Sequence, residues 1–119
     1  MAEHNELGKK GEELALEYLR LKEYEILELN YRYQKAEVDI IAKRGGLIIA
    51  AEVKTRSTPE FGNPQDFVKP KQIQQLVKAM NFYVEDSGLE VDVRFDIIAI
   101  IKNKAGTRIE HIQNAFLYF

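Results

Sequence analysis

Cysteine is absent from the chain, and histidine occurs only twice. Disulfide frameworks, thiol nucleophiles and thiolate zinc sites are therefore excluded, and His4 and His111 cannot form a metal cluster alone. No apolar run is long enough to span a bilayer, the longest being Leu47 to Ala51. The start, Met-Ala-Glu-His-Asn-Glu, lacks the basic and apolar regions of a secretory signal, so the expected setting is cytoplasmic, with no membrane partner. Pro-rich, Gly/Ser-rich and repetitive stretches are missing too, which argues against disordered tails and solenoids. A basic excess is also lacking. Net charge is −2 and the pI about 5.7, a poor match to a protein that grips long nucleic acid through counterion release. Binding of that kind would need a local patch, for which Lys43, Arg44, Lys54, Arg56, Lys69 and Lys71 are the available cations.

What is present suits a single domain over residues 1–119, long enough to bury one core between a sheet and a few helices. From Asn5 to Glu23, Leu7, Leu14, Ala15, Tyr18 and Leu19 recur at helical spacing among good helix formers. The next stretch alternates, with Leu27, Leu29, Tyr31 and Tyr33 on one side and Glu28, Asn30 and Arg32 on the other, as a half-buried strand requires. A second strand covers about Glu37 to Ala42, with Val38, Ile40 and Ala42 on one face and Glu37 and Asp39 on the other. Lys43-Arg44-Gly45-Gly46 is turn chemistry. Leu47 to Thr55 is the returning strand, and its unbroken Leu-Ile-Ile-Ala-Ala start predicts a central position covered on both faces.

A loop with Pro59, Gly62 and Pro64 follows. Pro70 opens a second helix, carried by Ile73, Leu76, Val77, Met80, Tyr83 and Val84 and stopped at Gly88. Val91, Val93, Phe95 and Ile97 begin a strand that runs apolar through Ile101, and residues 103–106 turn it back into Arg108 to Ile112. The aromatic tail, Asn114 to Phe119, is expected to pack as a short helix or an edge. The order helix, three strands, helix, two strands requires a crossover, hence an α/β domain with a mixed sheet flanked by helices.

The chemistry concentrates where two apolar strands turn charged. Glu52 and Lys54 share a face of the returning strand because strand side chains alternate with a period of two. Asp39 ends the apolar run on the neighbouring strand. A loop of Gly45-Gly46 puts Asp39 opposite Glu52, whereas Arg44-Gly45 puts it opposite Ala50 and diagonal to Glu52; a three-residue loop would send it to the wrong face. Carboxylates gathered so closely repel by roughly 4 kcal/mol per pair at an intermediate dielectric. Either one stays protonated or a divalent cation supplies the missing charge, and oxygen donors suit Mg²⁺ or Mn²⁺. Such a centre, with Lys54 beside it, is suited to phosphodiester hydrolysis. Glu12, on the first helix near Gly8 and Gly11, is a candidate further ligand.

These residues resemble the PD-(D/E)xK nuclease superfamily, with Asp39 as the separated acid and Glu52-Val53-Lys54 as the E-x-K element. More specifically, Gly8-x-x-Gly11-Glu12, residues 37–42, Glu52-Val53-Lys54-Thr55-Arg56, Phe61-Gly62-x-Pro64, Lys71 and Arg94-Phe95-Asp96 resemble the bacterial YraN family nearly end to end. The resemblance implies a restriction-endonuclease-like fold, similar to archaeal Holliday-junction resolvases. It also implies a Mg²⁺- or Mn²⁺-dependent endonuclease acting on DNA, branched or single-stranded. Asp39, Glu52, Lys54 and Glu12 would be the catalytic set, Asp39, Glu52 and Val53 the metal positions, and Arg56, Lys71 and Arg94 the substrate contacts. Two rival expectations are a non-catalytic module of the same fold that binds nucleic acid or protein, and a structural charge cluster with the aromatic tail forming a homodimer face.

Overall fold

The computed structural model describes residues 2–58 and 68–116, with side chains from Glu6 onward. Its elements are α1 (Ala2–Leu21), β1 (Glu25–Tyr33), β2 (Ala36–Arg44), β3 (Leu47–Arg56), α2 (Pro70–Ser87), β4 (Asp92–Asn103) and β5 (Gly106–Ile112). The strands form one mixed sheet in chain order. β1, β2 and β3 make an antiparallel meander, β4 lies parallel to β3, and β5 returns antiparallel to β4. The parallel step needs a crossover, and α2 supplies it. This α-β-β-β-α-β-β order is the one expected of the restriction-endonuclease-like architecture. The loop carrying Pro59, Gly62 and Pro64, together with Phe61 and Asn63, lies outside the described residues, as does the end of the aromatic tail. Residues 114–116 form neither helix nor strand; Phe116 is buried there, and Ala115 N–H donates to the Phe95 carbonyl.

Two cores sandwich the sheet, one under each helix. Ala15 and Leu19 of α1 pack on Ile40, Ala42, Ile49, Ala51, Ile98 and Ile100. On the opposite face, Leu76, Ala79 and Met80 of α2 pack on Ile41, Ile48, Ala50, Phe95, Ile97 and Ala99. Each fully buried Leu or Ile contributes about 1.5–3 kcal/mol relative to exposure. β3 is therefore the central strand, apolar on both sides, as its sequence predicts.

α1 ends where Glu23 takes a left-handed φ of 69°, letting Tyr24 N–H reach back to the Leu19 carbonyl. α2 begins at Pro70 and stops at Gly88 with a φ of 68°. Two face assignments from simple alternation need correction. Leu29 is 48% exposed although Leu27, Tyr31 and Tyr33 pack toward α2, because a register shift between Ile26 and Glu28 and a left-handed Asn30 (φ 51°) interrupt the alternation of β1. Likewise, Val38 packs on the α2 side whereas Ile40 and Ala42 pack on the α1 side. The face changes at Asp39, directly alongside Asn30.

Candidate active site

The β2–β3 hairpin closes with Arg44 opposite Leu47, so the loop is Gly45-Gly46, and Gly45 takes a φ of 60°. This register runs through Ile40 opposite Ala51, and there the pairing ends. Beyond that point β2 continues along β1, and β3 continues along β4. The two strands fork. Asp39 and Glu52 are the next residues of the register, one on each branch.

Asp39 reaches across the fork, and its Oδ2 accepts the Val53 N–H at 2.9 Å. The carboxyls of Asp39 and Glu52 interact closely enough for each to shift the other's titration. Glu52 is 5% exposed, lies opposite Ile97, and leaves Oε1 without a hydrogen-bond partner. A buried polar oxygen without a partner costs about 1–3 kcal/mol, so this is a place of stored cost. Burial, then the charge of Asp39, pushes Glu52 up to about 8, against the pull of Lys54. Burial also raises Asp39, opposed by the Val53 N–H, Glu52 and Lys54. Glu12 is raised as well, by burial and by the charges of Asp39 and Glu37. Burial leads all three shifts, and repulsion between the carboxylates adds to it.

The fork opens into a cavity of about 320 Å³ lined by Leu7, Gly8 and Glu12 of α1 and by Asp39, Val53, Lys54, Thr55 and Arg56. α1 comes this close because Gly11 lacks a side chain; a Cβ there would lie 1.8 Å from Thr55 Oγ1. The chemical fit to a hard divalent cation is good. The donors are oxygens, the carboxyls lie close together, and Glu52 Oε1 is unused. Among the described residues, however, no three Asp, Glu or His side chains converge closely enough to make a preformed metal cage. The acidic group is a pair, Asp39 with Glu52, with Glu12 farther along the cavity wall.

The other expected contacts divide. Arg56 lines the cavity, its Nη1 donating to the Thr55 carbonyl. Lys71 is exposed in the first turn of α2. Lys43 and Arg44 are corrected outright. They sit at the closed end of the hairpin, where Arg44 donates to the Lys22 carbonyl and stacks on Tyr24, away from the fork. Arg94 lies opposite Ile49, toward that same closed end, with Nε and Nη2 donating to both oxygens of Asp96 at 2.8 Å. Asp96, wholly buried, also bonds His111 Nε2 at 2.7 Å and accepts the Asn114 N–H at 3.0 Å, while Tyr18 Oη meets His111 Nδ1. Spacing reveals only the Arg94–Asp96 pair. His111 and Tyr18 join it through tertiary packing, and no local signal announces them.

Geometry and fold together define a restriction-endonuclease-like α/β domain with an acidic pair and a lysine at the open end of its central hairpin. Residues 11–100 match the model of a family described as uncharacterised protein family UPF0102, which is the YraN family. The chain is 88% identical to a UPF0102 protein of Christiangramia forsetii over the full length of both, and 55% identical to one of Flavobacterium psychrophilum over the same extent. A UPF0102 protein of Thermodesulfovibrio yellowstonii is 48% identical over 93% of this chain and 96% of its own. The chain belongs to the UPF0102 family.

Proposed function

We propose that this protein is a divalent-metal-dependent endonuclease that hydrolyses DNA phosphodiesters, with branched or otherwise structured DNA as substrate. One observation carries the reading: a buried Glu52 with an unpartnered oxygen, electrostatically coupled to Asp39 across a fork in the sheet and to Lys54. Asp39, Glu52 and the Val53 carbonyl would hold Mg²⁺ or Mn²⁺. When bound, such an ion neutralises phosphoryl oxygens and makes water a better nucleophile.

The chain's own groups do the rest. The Val53 N–H fixes the Asp39 carboxylate. The Lys54 ammonium orients the attacking water and stabilises negative charge developing on the phosphate. Glu12, across the cavity, takes up a proton from that water or steadies it by hydrogen bonding. Arg56, exposed at the rim, contacts a flanking phosphate.

The test incubates purified protein with labelled junction, flap and single-stranded DNA plus Mg²⁺ or Mn²⁺. Cleavage that disappears in Lys54→Ala is expected; no cleavage of any substrate refutes the reading. The acidic pI favours one rival, a binding module that keeps the fold without turnover. Salt-dependent DNA binding with no metal-dependent cleavage would establish it.

A further inference from the structure

A second feature lies on the α2 face of the sheet. Tyr33, the last residue of β1, stacks on Phe82 of α2, with ring centroids 4.5 Å apart and planes inclined by 24°. Phe82 remains 42% exposed, unusual for an aromatic ring that merely fills a core. Beside this stack is a depression of about 190 Å³ lined by Tyr33, Gln34, Lys35, Gln75 and Lys78. Lys71, Gln75, Lys78 and Phe82 follow one another at spacings of four, three and four, so they form one stripe along α2. The lining carries two lysines and no carboxylate, in a chain whose net charge is −2. Among the described residues neither lysine forms an ion pair.

An aromatic face between ammonium groups and side-chain amides matches one ligand chemistry well. A nucleobase stacks on the ring, the phosphates on either side meet the lysines, and the amides of Gln34 and Gln75 offer both donors and acceptors to base edges. The depression lies on the α2 face and the cavity on the α1 face, and because β1 is an edge strand a flexible single strand reaches both by passing round it. Tyr33 pairs with Ala36, and Ala36 is three residues before Asp39 on β2, toward the forked end of the sheet.

The geometry points to a stacking subsite at Tyr33, Phe82, Lys35 and Lys78 that holds an unpaired nucleotide of single-stranded DNA at the forked end of the sheet, on the face opposite the cleavage site. This inference rests on the phosphodiesterase reading and deepens it. It explains how a chain with little overall positive charge selects structured DNA, since an extruded base is available at junctions and flaps but not in an intact duplex.

The experiment measures fluorescence anisotropy of labelled oligothymidylate in EDTA, where no cleavage can occur. Tyr33→Leu and Phe82→Leu retain apolar bulk without an aromatic face, and each should weaken binding about tenfold or more. Lys35→Glu with Lys78→Glu should weaken it further and flatten the salt dependence by about 0.7 in log–log slope for each phosphate no longer neutralised. An abasic oligonucleotide should bind the wild type and Tyr33→Leu alike. Circular dichroism checks that each variant is folded. The assignment is overturned by a wild type without affinity at low salt, by a folded Tyr33→Leu that binds as tightly as wild type, by preference for oligouridylate, or by a wild-type dimer that Phe82→Glu splits. Binding that obeys these rules without cleavage in Mg²⁺ leaves the subsite standing and removes the nuclease. Cleavage indifferent to Tyr33→Leu does the reverse.

Discussion

Replacing Gly11 by alanine adds one methyl group to the middle of a 20-residue helix. By intrinsic propensity that change should stabilise the protein by about 1 kcal/mol. The closeness of β3 reverses the sign. The added Cβ would stand 1.8 Å from Thr55 Oγ1, 2.9 Å from its Cβ and 3.0 Å from its Cγ2. Rotating the threonine moves the first and third of these, but the second belongs to the strand itself, so helix and sheet must separate. Overpacking of this kind costs about 1–3 kcal/mol, which leaves a net loss of up to about 2 kcal/mol after the propensity gain is subtracted. Urea unfolding followed by far-ultraviolet circular dichroism measures it. In a Thr55→Ala background the hydroxyl and methyl clashes are removed, so Gly11→Ala should cost at least about 1 kcal/mol less there, a coupling typical of adjacent residues. Because Glu12 follows Gly11 directly, the displaced helix should also weaken metal-dependent cleavage. Should Gly11→Ala prove as stable as wild type in both backgrounds, α1 does not lie against β3, and the cavity wall it forms falls with it.

Other outcomes follow from the same geometry. Mg²⁺ or Mn²⁺ should raise the melting temperature of the wild type, by the equivalent of about 2.7 kcal/mol at one hundred times Kd, and Asp39→Asn or Glu52→Gln should abolish that shift in a thermal melt. Lys54→Ala should keep the shift yet lose cleavage by about 10²–10³-fold, the cost of removing one transition-state donor. Asp96→Asn should destabilise the fold by about 3 kcal/mol, because Arg94 loses a buried partner. Burial would raise the Asp96 carboxyl, but hydrogen bonds from His111, Arg94 and the Asn114 N–H outweigh it and hold it below its ordinary value. Its stabilisation is therefore complete above the unfolded-state value of about 3.9 and is lost as pH falls below that. An acid titration of stability should show that limb in the wild type and a shallower one in Asp96→Asn.

Much of this fold is legible in the sequence because its signals are local. Pro70 and Gly88 bracket α2, Gly45-Gly46 sets the hairpin, and five consecutive apolar residues place β3 at the centre of the sheet. The sequence leaves the loop open between Gly45-Gly46 and Arg44-Gly45, either of which brings Asp39 near Glu52, and the structure has the first. Two kinds of feature stay hidden. The first is backbone irregularity: the left-handed Asn30 and the shift at Glu28 are invisible to a period-two pattern, so simple alternation gives Leu29 and Val38 the wrong neighbours. The second is the meeting of distant segments. Tyr18 and His111 are 93 residues apart and meet around Asp96, and the stack of Tyr33 on Phe82 joins an edge strand to a helix. No spacing rule reaches that far.

The forked hairpin has a consequence for how this molecule is born. Every group proposed for the reaction, from Glu12 to Arg56, is synthesised before α2 begins. Glu52, however, is buried in the complete chain, where β4 sets Ile97 beside it. Pairing with β4 from the C-terminal half is part of what surrounds this desolvated carboxyl pair. The second half of the chain contributes no reacting group, yet it is part of what gives the first half its electrostatic character.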